Sequence, residues 1–256
     1  MSRSFIAIIS ENRPVHAIHN LLSLTVPDSV PPPSPGQFYM IEVSRGTDPL
    51  LKRAFSLFRK TSQDVQILYR ICGKGTEILR NLREGTAVDM LGPLGTSYPV
   101  PADDTIPLIV AGGIGIASVY SLLERLAGRA YLFFGARTKE DLLMLHEAKQ
   151  ISRGVFISTD DGSEGEKGTV ANILGDFLFR RTSTGDRFGI YACGPQPLLQ
   201  AVSQTALQYR ITSYISMEEH MACGVGACLG CVVKTRDGYK RVCKEGPVFQ
   251  STEILW

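Results

Sequence analysis

The sequence lacks a long apolar segment, a strong net charge and a clustered set of histidines. No apolar run approaches the ~20 residues that a membrane-spanning helix needs, and MSRSFIAIISENRP at the N-terminus has too short an apolar run for a signal peptide. The formal net charge of +2 in 256 residues favours neither nucleic acid nor a membrane surface as a partner. The four histidines share no ligand spacing on one element, so none is a catalytic candidate. The expectation is therefore a soluble, cytoplasmic protein.

Cysteine is also scarce, with six residues in all, but four of them are concentrated near the C-terminus. They form Cys223-x4-Cys228-x2-Cys231, followed after eleven residues by Cys243. This is the spacing of plant-type [2Fe–2S] ligation, in which thiolates hold both irons. Gly224, Gly226, Ala227 and Gly230 between these cysteines are small, which lets backbone N–H groups approach the sulfides. The following VVKTRDGYKRVC predicts two short strands around a turn at Asp237-Gly238, which would return Cys243 to the other three.

Two other readings of these cysteines are open from spacing alone. Structural zinc also takes four cysteines, although its usual pattern is two separated C-x2-C pairs. Disulfide bonds would need an oxidising compartment, which nothing in the sequence indicates. The remaining Cys72 and Cys193 lie far apart in the sequence and are expected to be free thiols.

The first part of the chain, residues 1–101, is predicted to be an antiparallel β-barrel. Short β-branched or aromatic runs, such as QFYMIEV and VQILYRI, alternate with turn signals such as PPPSPG. Two spots within it are candidate sites: Arg53-Ala54-Phe55-Ser56 in a strand, and Gly73-Lys74-Gly75-Thr76 before a predicted helix. The second leaves backbone N–H groups free for a phosphate. Taken singly, an arginine in a strand is usually a solvated edge, and a GxGT sequence is usually a capped turn.

Residues 102–213 change to alternating strands and helices. Four strand–helix units predict a doubly wound, parallel α/β sheet, whose ligands lie beyond the carboxyl ends of the strands. The candidates at that edge are Gly112, Gly113 and Gly115 in the first loop, then Asp160, and then Cys193, Gly194 and Pro195. The glycine loop is not a complete dinucleotide fingerprint. Asp160 and Asp161 are more typical of turns and helix caps than of ribose ligands, and Cys193 also fits a small buried residue at a strand end.

A barrel, a nucleotide-type sheet and a cluster module at 214–256 follow one another, so the architecture is multi-domain β plus α/β. This order resembles the ferredoxin–NADP reductase superfamily and, within it, the electron-transfer subunits of class 1B dihydroorotate dehydrogenases. The resemblance covers the whole chain and is most specific in EEHMACGVGACLGC with Cys243. One departure is Ala117-Ser118, where the family often has a proline soon after the glycine loop.

The resemblance implies three cofactors: FAD across the barrel, NAD on the α/β sheet and the [2Fe–2S] cluster. Electrons would pass singly from a partner through the cluster to FAD and leave as hydride to NAD+. The implied partner is an FMN-containing catalytic subunit of dihydroorotate dehydrogenase, in a 2+2 heterotetramer. FAD would contact residues of two barrel strands and of the loop before the predicted helix: Arg53, Ala54, Phe55, Ser56, Leu68, Tyr69, Arg70, Gly73, Gly75 and Thr76.

Two rival functions share parts of this pattern. The first is the flavin subunit of an NAD(P)H:ferredoxin oxidoreductase or of a sulfhydrogenase, because likeness of fold alone does not fix function. The second is a zinc-stabilised assembly subunit without redox activity. The choice between NAD and NADP also stays open, since Arg137 and Lys139 follow the second strand of the sheet, where a cation could meet a 2′-phosphate.

Overall fold

The computed structural model describes residues 3–181 and 185–256. Its first sheet is antiparallel, with the strand order β4-β3-β7-β1-β2-β6-β5. The seven strands are β1 (Arg3–His16), β2 (His19–Thr25), β3 (Phe38–Ile41), β4 (Arg53–Ser56), β5 (Arg59–Lys60), β6 (Asp64–Arg70) and β7 (Ala87–Leu94). The sheet is curled: Phe55 on the edge strand β4 contacts Tyr69 on β6, near the opposite edge, with ring centroids 5.7 Å apart. The predicted barrel-like domain is thus confirmed.

The interior of this barrel is filled by alternate residues of its strands, as half-buried antiparallel strands require. Leu22, Leu24, Ile41, Phe55 and Tyr69 belong to one buried cluster there. Helix α1 (Lys74–Asn81) follows β6. It closes one side of the cluster with the fully buried Leu79.

The second sheet is parallel in its main part, with the order β11-β10-β9-β8-β12-β13. These strands are β8 (Thr105–Gly112), β9 (Tyr131–Ala136), β10 (Gly154–Thr159), β11 (Glu166–Lys167), β12 (Arg187–Cys193) and β13 (Thr212–Ser216). Its helices are α2 (Ile116–Arg125), α3 (Leu145–Ile151), α4 (Val170–Arg181) and α5 (Gln196–Gln208). Two buried clusters, one containing residues of α2 and α3 and the other residues of α4 and α5, cover this sheet. The predicted doubly wound architecture is confirmed.

The pattern of KEDLLMLHEAKQI, residues 139–151, predicts one continuous helix, but the observed helix is shorter. The segment from Lys139 onwards begins with a single 3-10 turn at Lys139–Asp141, and α3 starts only at Leu145. Met144 has a φ of 57°, a left-handed conformation that a continuous right-handed helix cannot contain. Leu142 and Leu143 are buried by this interruption, so tertiary packing overrides the local helix preference.

The C-terminal segment forms a small hairpin and then rejoins the second sheet. Strands β14 (Val232–Thr235) and β15 (Gly238–Arg241) pair around the predicted turn. Strand β16 (Val248–Gln250) then pairs antiparallel with β13 at the sheet edge, and a 3-10 turn follows at Ser251–Glu253. In the described parts of the chain, no helix is long and apolar enough to cross a membrane.

Candidate functional sites

The cluster loop, residues 223–231, lies against the barrel. Gly224 has a φ of +70°, and a Cβ there would lie 2.6 Å from Cγ of Met40 on β3 and 3.2 Å from Cδ1 of Leu94 on β7. Only a glycine allows this backbone conformation and this close approach together. The loop is therefore packed directly on the strand that neighbours β4, which carries the Arg53 motif.

The four cysteines of this site form two pairs. The N–H of Cys228 donates to Sγ of Cys223 at 3.5 Å, and the N–H of Cys243 donates to Sγ of Cys231 at 3.5 Å. The first pair is partly or fully exposed, whereas the second is buried. Over residues 3–181 and 185–256, no three His, Cys, Asp or Glu side chains converge on one point that could hold a metal ion. Four cysteines whose sulfurs accept backbone N–H contacts are the donor set of a [2Fe–2S] cluster.

The electrostatics of the thiols differ between the pairs. Burial alone would raise the pKa of Cys223, but backbone N–H donors of Cys228, Val225 and Ala227 outweigh it and lower that pKa to about 6. Burial and the adjacent Cys231 raise the pKa of Cys243 to about 12. Two thiolates so close repel each other unless a bound cation compensates them, so the buried pair suits a thiolate-binding metal cation.

A second candidate site lies where β4 meets the start of α1. The side chain of Arg53 crosses the first turn of the helix: a Cβ on Gly75 would lie 2.6 Å from its Nε and 3.1 Å from its Cζ. The N–H groups of a first helical turn have no intrahelical acceptor. A guanidinium beside free N–H groups, with space kept by a glycine, is a cradle suited to a phosphate. The fold thus brings together two motifs that lie about twenty residues apart in the sequence.

The Thr76 side chain stabilises the turn before α1, as the capped-turn interpretation of the motif predicts. Its hydroxyl accepts hydrogen bonds from the backbone N–H groups of Cys72 and Gly73, at 2.9 and 3.2 Å, and donates one to the Gly73 carbonyl. The side chain therefore fixes the turn before α1. Any contact of Thr76 with a phosphate must come from its backbone.

The other predicted flavin residues divide between core and surface. The side chains of Phe55 and Tyr69 are in the barrel core, and the Tyr69 hydroxyl donates to Oδ1 of Asn12 at 3.2 Å. Ala54 and Arg70 are exposed, Ser56 and Gly73 are accessible to solvent, and Leu68 is buried. Arg53, Gly73, Gly75 and Thr76 of this set meet at the helix start, through the approach of Arg53 to Gly75 and the hydrogen bonds between Thr76 and Gly73.

A third candidate site is a cleft of about 490 Å³ at the carboxyl ends of the parallel strands. Its lining joins the predicted α/β residues to the barrel residue Arg70 and includes Gly112, Gly113, Gly115, Asp160, Gly194 and Pro195. Ser158 also lines it, and its Oγ is buried with no hydrogen-bond partner within the described residues. An unpaired buried hydroxyl is costly in the absence of a ligand. The cleft therefore suits a polar, nucleotide-sized molecule.

The glycines of the first loop serve packing as well as access. A Cβ on Gly115 would lie 2.4 Å from the carbonyl oxygen of Cys193, and one on Gly112 would lie 2.6 Å from Cδ2 of Leu198. Gly113, in contrast, has a φ of +51° and open space where its Cβ would be. Gly112 and Gly115 thus let the loop approach the start of α5, while Gly113 faces the cleft.

Cys193 and the two aspartates behave differently within this site. Burial raises the pKa of the Cys193 thiol to about 12, and the side chain is 1% exposed. It does not belong to the cleft lining, unlike Gly194 and Pro195. Asp160 lines the cleft, whereas Asp161 accepts hydrogen bonds from the N–H and hydroxyl of Ser163. The interpretation of Asp161 as a turn residue is therefore confirmed.

Sequence reasoning missed Glu218, His19 and Asp141, which also line the cleft. Glu218 is open to the cleft, yet the protein around it desolvates the carboxylate and raises its pKa. The position of Glu218, two residues after β13, follows the rule that ligands lie at the carboxyl ends of parallel strands. His19 and Asp141 carry no comparable signal, because they reach the cleft from the barrel rim and from the turn before α3.

Two family models match the chain. The iron-sulfur cluster binding domain of dihydroorotate dehydrogenase B matches residues 218–255, and the oxidoreductase NAD-binding domain matches residues 109–204. The first match contains all four clustered cysteines, and the second contains the glycine loop and Cys193-Gly194-Pro195.

Similar proteins cover the chain almost end to end. The electron transfer subunit of dihydroorotate dehydrogenase B (NAD(+)) from Desulforamulus reducens is 37% identical over 232 residues, 87% of each chain. The one from Bacillus pumilus is 35% identical and covers 99% of this chain and 98% of its own. Among solved structures, an NADH-dependent reduced ferredoxin–NADP oxidoreductase superposes with a TM-score of 0.85 and 26% identity, covering 98% of this chain and 90% of that one. The chain therefore belongs to the family of electron transfer subunits of dihydroorotate dehydrogenase B.

Proposed function

We propose that this chain carries electrons between a catalytic partner subunit, which oxidises dihydroorotate in pyrimidine biosynthesis, and NAD+. The observation that carries the proposal is the position of the four-cysteine loop, which is packed on the barrel strand β3 beside the Arg53 strand β4. The three cofactors are a [2Fe–2S] cluster, FAD and NAD. When bound, the cluster exchanges single electrons, nicotinamide exchanges a hydride, and a flavin can do both.

We assign each cofactor to one of the three candidate sites. Cys223, Cys228, Cys231 and Cys243 are the cluster ligands. The residues proposed for FAD are Arg53, Ala54, Phe55, Ser56, Leu68, Tyr69, Arg70, Gly73, Gly75 and Thr76. Those proposed for NAD are Gly112, Gly113, Gly115, Asp160, Cys193, Gly194 and Pro195. The corresponding domain limits are 1–101, 102–213 and 214–256.

The side chains of the chain bind and orient rather than transfer protons in this scheme. Arg53 offers a forked, permanently charged donor for a phosphate, and the buried Phe55 and Tyr69 hold its strand in place. For NAD, we assign Cys193 a backbone role, because its thiol is buried and stays protonated at neutral pH. Glu218, whose pKa is raised by desolvation, opens to the cleft beside Pro195.

The naming of the relatives as electron transfer subunits implies a separate catalytic partner. We propose that the partner contains FMN, that two copies of each subunit assemble, and that the partner covers the cluster loop. The exposed Cys228 supports this surface, as do Val225 and Leu229, which are 44% and 61% exposed. Small apolar groups at this point allow the close approach that electron exchange requires.

Co-purification of the partner from the native cell, followed by an assay with dihydroorotate and NAD+, tests the proposal. The complex should reduce NAD+ with dihydroorotate, whereas the isolated chain should oxidise NADH only with artificial acceptors. A comparable dihydroorotate rate from the isolated chain would refute the division of labour. Iron, sulfide and flavin in the purified chain would exclude the zinc-stabilised assembly subunit, and zinc in a colourless protein would favour it.

A second candidate function is favoured by the structural match to the NADH-dependent reduced ferredoxin–NADP oxidoreductase. In that case the partner would differ, and the flavin would exchange electrons with NADH in the service of a ferredoxin-linked reaction. The higher identity of 37% to a dihydroorotate dehydrogenase subunit favours the first function. The same co-purification separates them, because only one partner oxidises dihydroorotate.

A further inference from the structure

Arg241 connects the two separate chain segments that carry the cysteines. It is the last residue of β15 and lies two residues before Cys243. Its Nη1 donates to the carbonyl oxygen of Gly226 at 2.8 Å. Gly226 lies between Cys223 and Cys228 in the cluster loop. A single side chain thus ties the first ligand segment to the fourth ligand.

Glu245 fixes the direction of this arginine from the other side of Cys243. Nε of Arg241 donates to Oε2 of Glu245 at 3.0 Å, and Nη2 donates to Oε1 of the same carboxylate. The backbone N–H of Arg241 also donates to Oε2, at 2.8 Å. Forked contacts between arginine and carboxylate restrict geometry more than a single ion pair does. The guanidinium therefore has one orientation, with Nη1 directed at the cluster loop.

The local backbone is built around these contacts. Gly226 has a φ of +81°, and a Cβ there would lie 3.2 Å from Nη1 of Arg241 and 2.8 Å from Cδ of Lys244. The carbonyl of Arg241 accepts the N–H groups of Lys244 and Glu245, at 3.1 and 2.9 Å. Side chain, turn and glycine together hold residues 226 and 241–245 as one unit.

We propose that Arg241 and Glu245 are positioning residues that hold the two ligand segments in register and set the reduction potential of the cluster by their opposite charges. This inference rests on the proposed cluster function of the four cysteines. Reduction adds negative charge to a cluster, so a nearby cation favours the reduced form and a nearby anion opposes it. Removing the arginine exposes the cluster to the carboxylate alone, and removing the carboxylate exposes it to the guanidinium alone.

The test compares Arg241→Gln, Glu245→Gln and Arg241→Lys in the full, cofactor-loaded chain. Lys240→Gln is the matched control, because Lys240 is the adjacent cation but pairs with Glu253, at 2.5 Å, rather than with the cluster loop. The measurements are iron and sulfide content, the rate of bleaching by a chelator, and the midpoint potential from an EPR-monitored redox titration.

Both glutamine variants should lose iron about tenfold faster than the wild type, at the lower end of the loss in metal affinity that follows removal of an outer-shell contact. Their potentials should move in opposite directions, lower for Arg241→Gln and higher for Glu245→Gln. Arg241→Lys keeps the charge but not the fork, so it should bleach faster with a nearly unchanged potential. Lys240→Gln should match the wild type in both measurements.

Potentials that shift in the same direction in both glutamine variants would overturn the electrostatic role. A cluster site that only becomes less rigid would change the potential in the same way in both variants. Bleaching rates equal to the wild type would overturn the role in register. If Arg241→Gln does not fold, Glu245→Gln and Arg241→Lys decide the question alone. A wild-type chain without iron and sulfide would instead refute the proposed function, which keeps the two failures distinguishable.

Discussion

Replacing Gly75 by alanine should displace the Arg53 guanidinium from the first turn of α1. The new Cβ would lie 2.6 Å from Nε and 3.2 Å from Nη2 of that side chain. The first distance is too short for any real contact, and the arginine is the flexible partner, so it moves while the helix remains. If Arg53 and the first turn of α1 hold the FAD phosphate, the substitution of Gly75 removes the contact with Arg53 while leaving Arg53 itself unchanged.

The expected magnitude follows from the lost contact. A hydrogen bond to a charged group contributes about 1.5–3 kcal/mol, which corresponds to roughly a ten- to hundredfold change in affinity. Gly75→Ala should approach the loss of Arg53→Ala. Alanine is also a better helix former than glycine by up to about 1 kcal/mol, so the flavin-free protein should become no less stable. The affinity for FAD should therefore fall while the stability of the flavin-free protein does not.

The assay is an equilibrium titration of the flavin-free chain with FAD, together with a thermal melt of each variant. The double variant Arg53→Ala, Gly75→Ala should bind FAD as Arg53→Ala does, because the second change has nothing left to displace. Gly175→Ala in α4 is the control, since open space surrounds its Cβ position, far from the site. Unchanged FAD affinity in Gly75→Ala, or fully additive losses in the double variant, would refute the cradle.

Three further predictions concern the other sites. Cys228→Ser should strip or destabilise the cluster, because an alcohol replaces a thiolate poorly; full iron content with an unchanged reduced-state EPR signal would contradict the ligand assignment. NADH should reduce the flavin faster than NADPH in stopped-flow measurements at equal concentration, and the reverse order would give Arg137 a role with a 2′-phosphate. Leu229→Glu, at a position 61% exposed, should weaken binding of the catalytic subunit in a pull-down while NADH–dye activity stays nearly intact; undiminished binding would move the docking surface elsewhere.

The parts of this protein that could be predicted from sequence are those encoded locally. The cysteine spacing, the turn at Asp237-Gly238 and the strand–helix alternation each depend on neighbours within about a dozen residues. The length of α3 could not be predicted, because burial of Leu142 and Leu143 interrupts a segment whose periodicity favours a continuous helix. Phe55 and Tyr69 were candidates for cofactor contact, and alternation alone could not show that their rings meet inside the barrel.

The contacts that build the sites join distant segments, and a sequence contains only an indirect trace of them. From the sequence alone, Arg53 is a solvated strand residue and Arg241 is one of several cations in a hairpin. The fold places Arg53 against the start of α1 and Arg241 against the cluster loop. In both cases the trace is a glycine that turn preferences do not fully explain: Gly75 leaves room for Arg53, and Gly226 leaves room for Lys244 and Arg241. A glycine beside a ligand motif can thus mark the approach of a charged side chain from elsewhere in the chain. Only the three-dimensional arrangement tells which side chain that is.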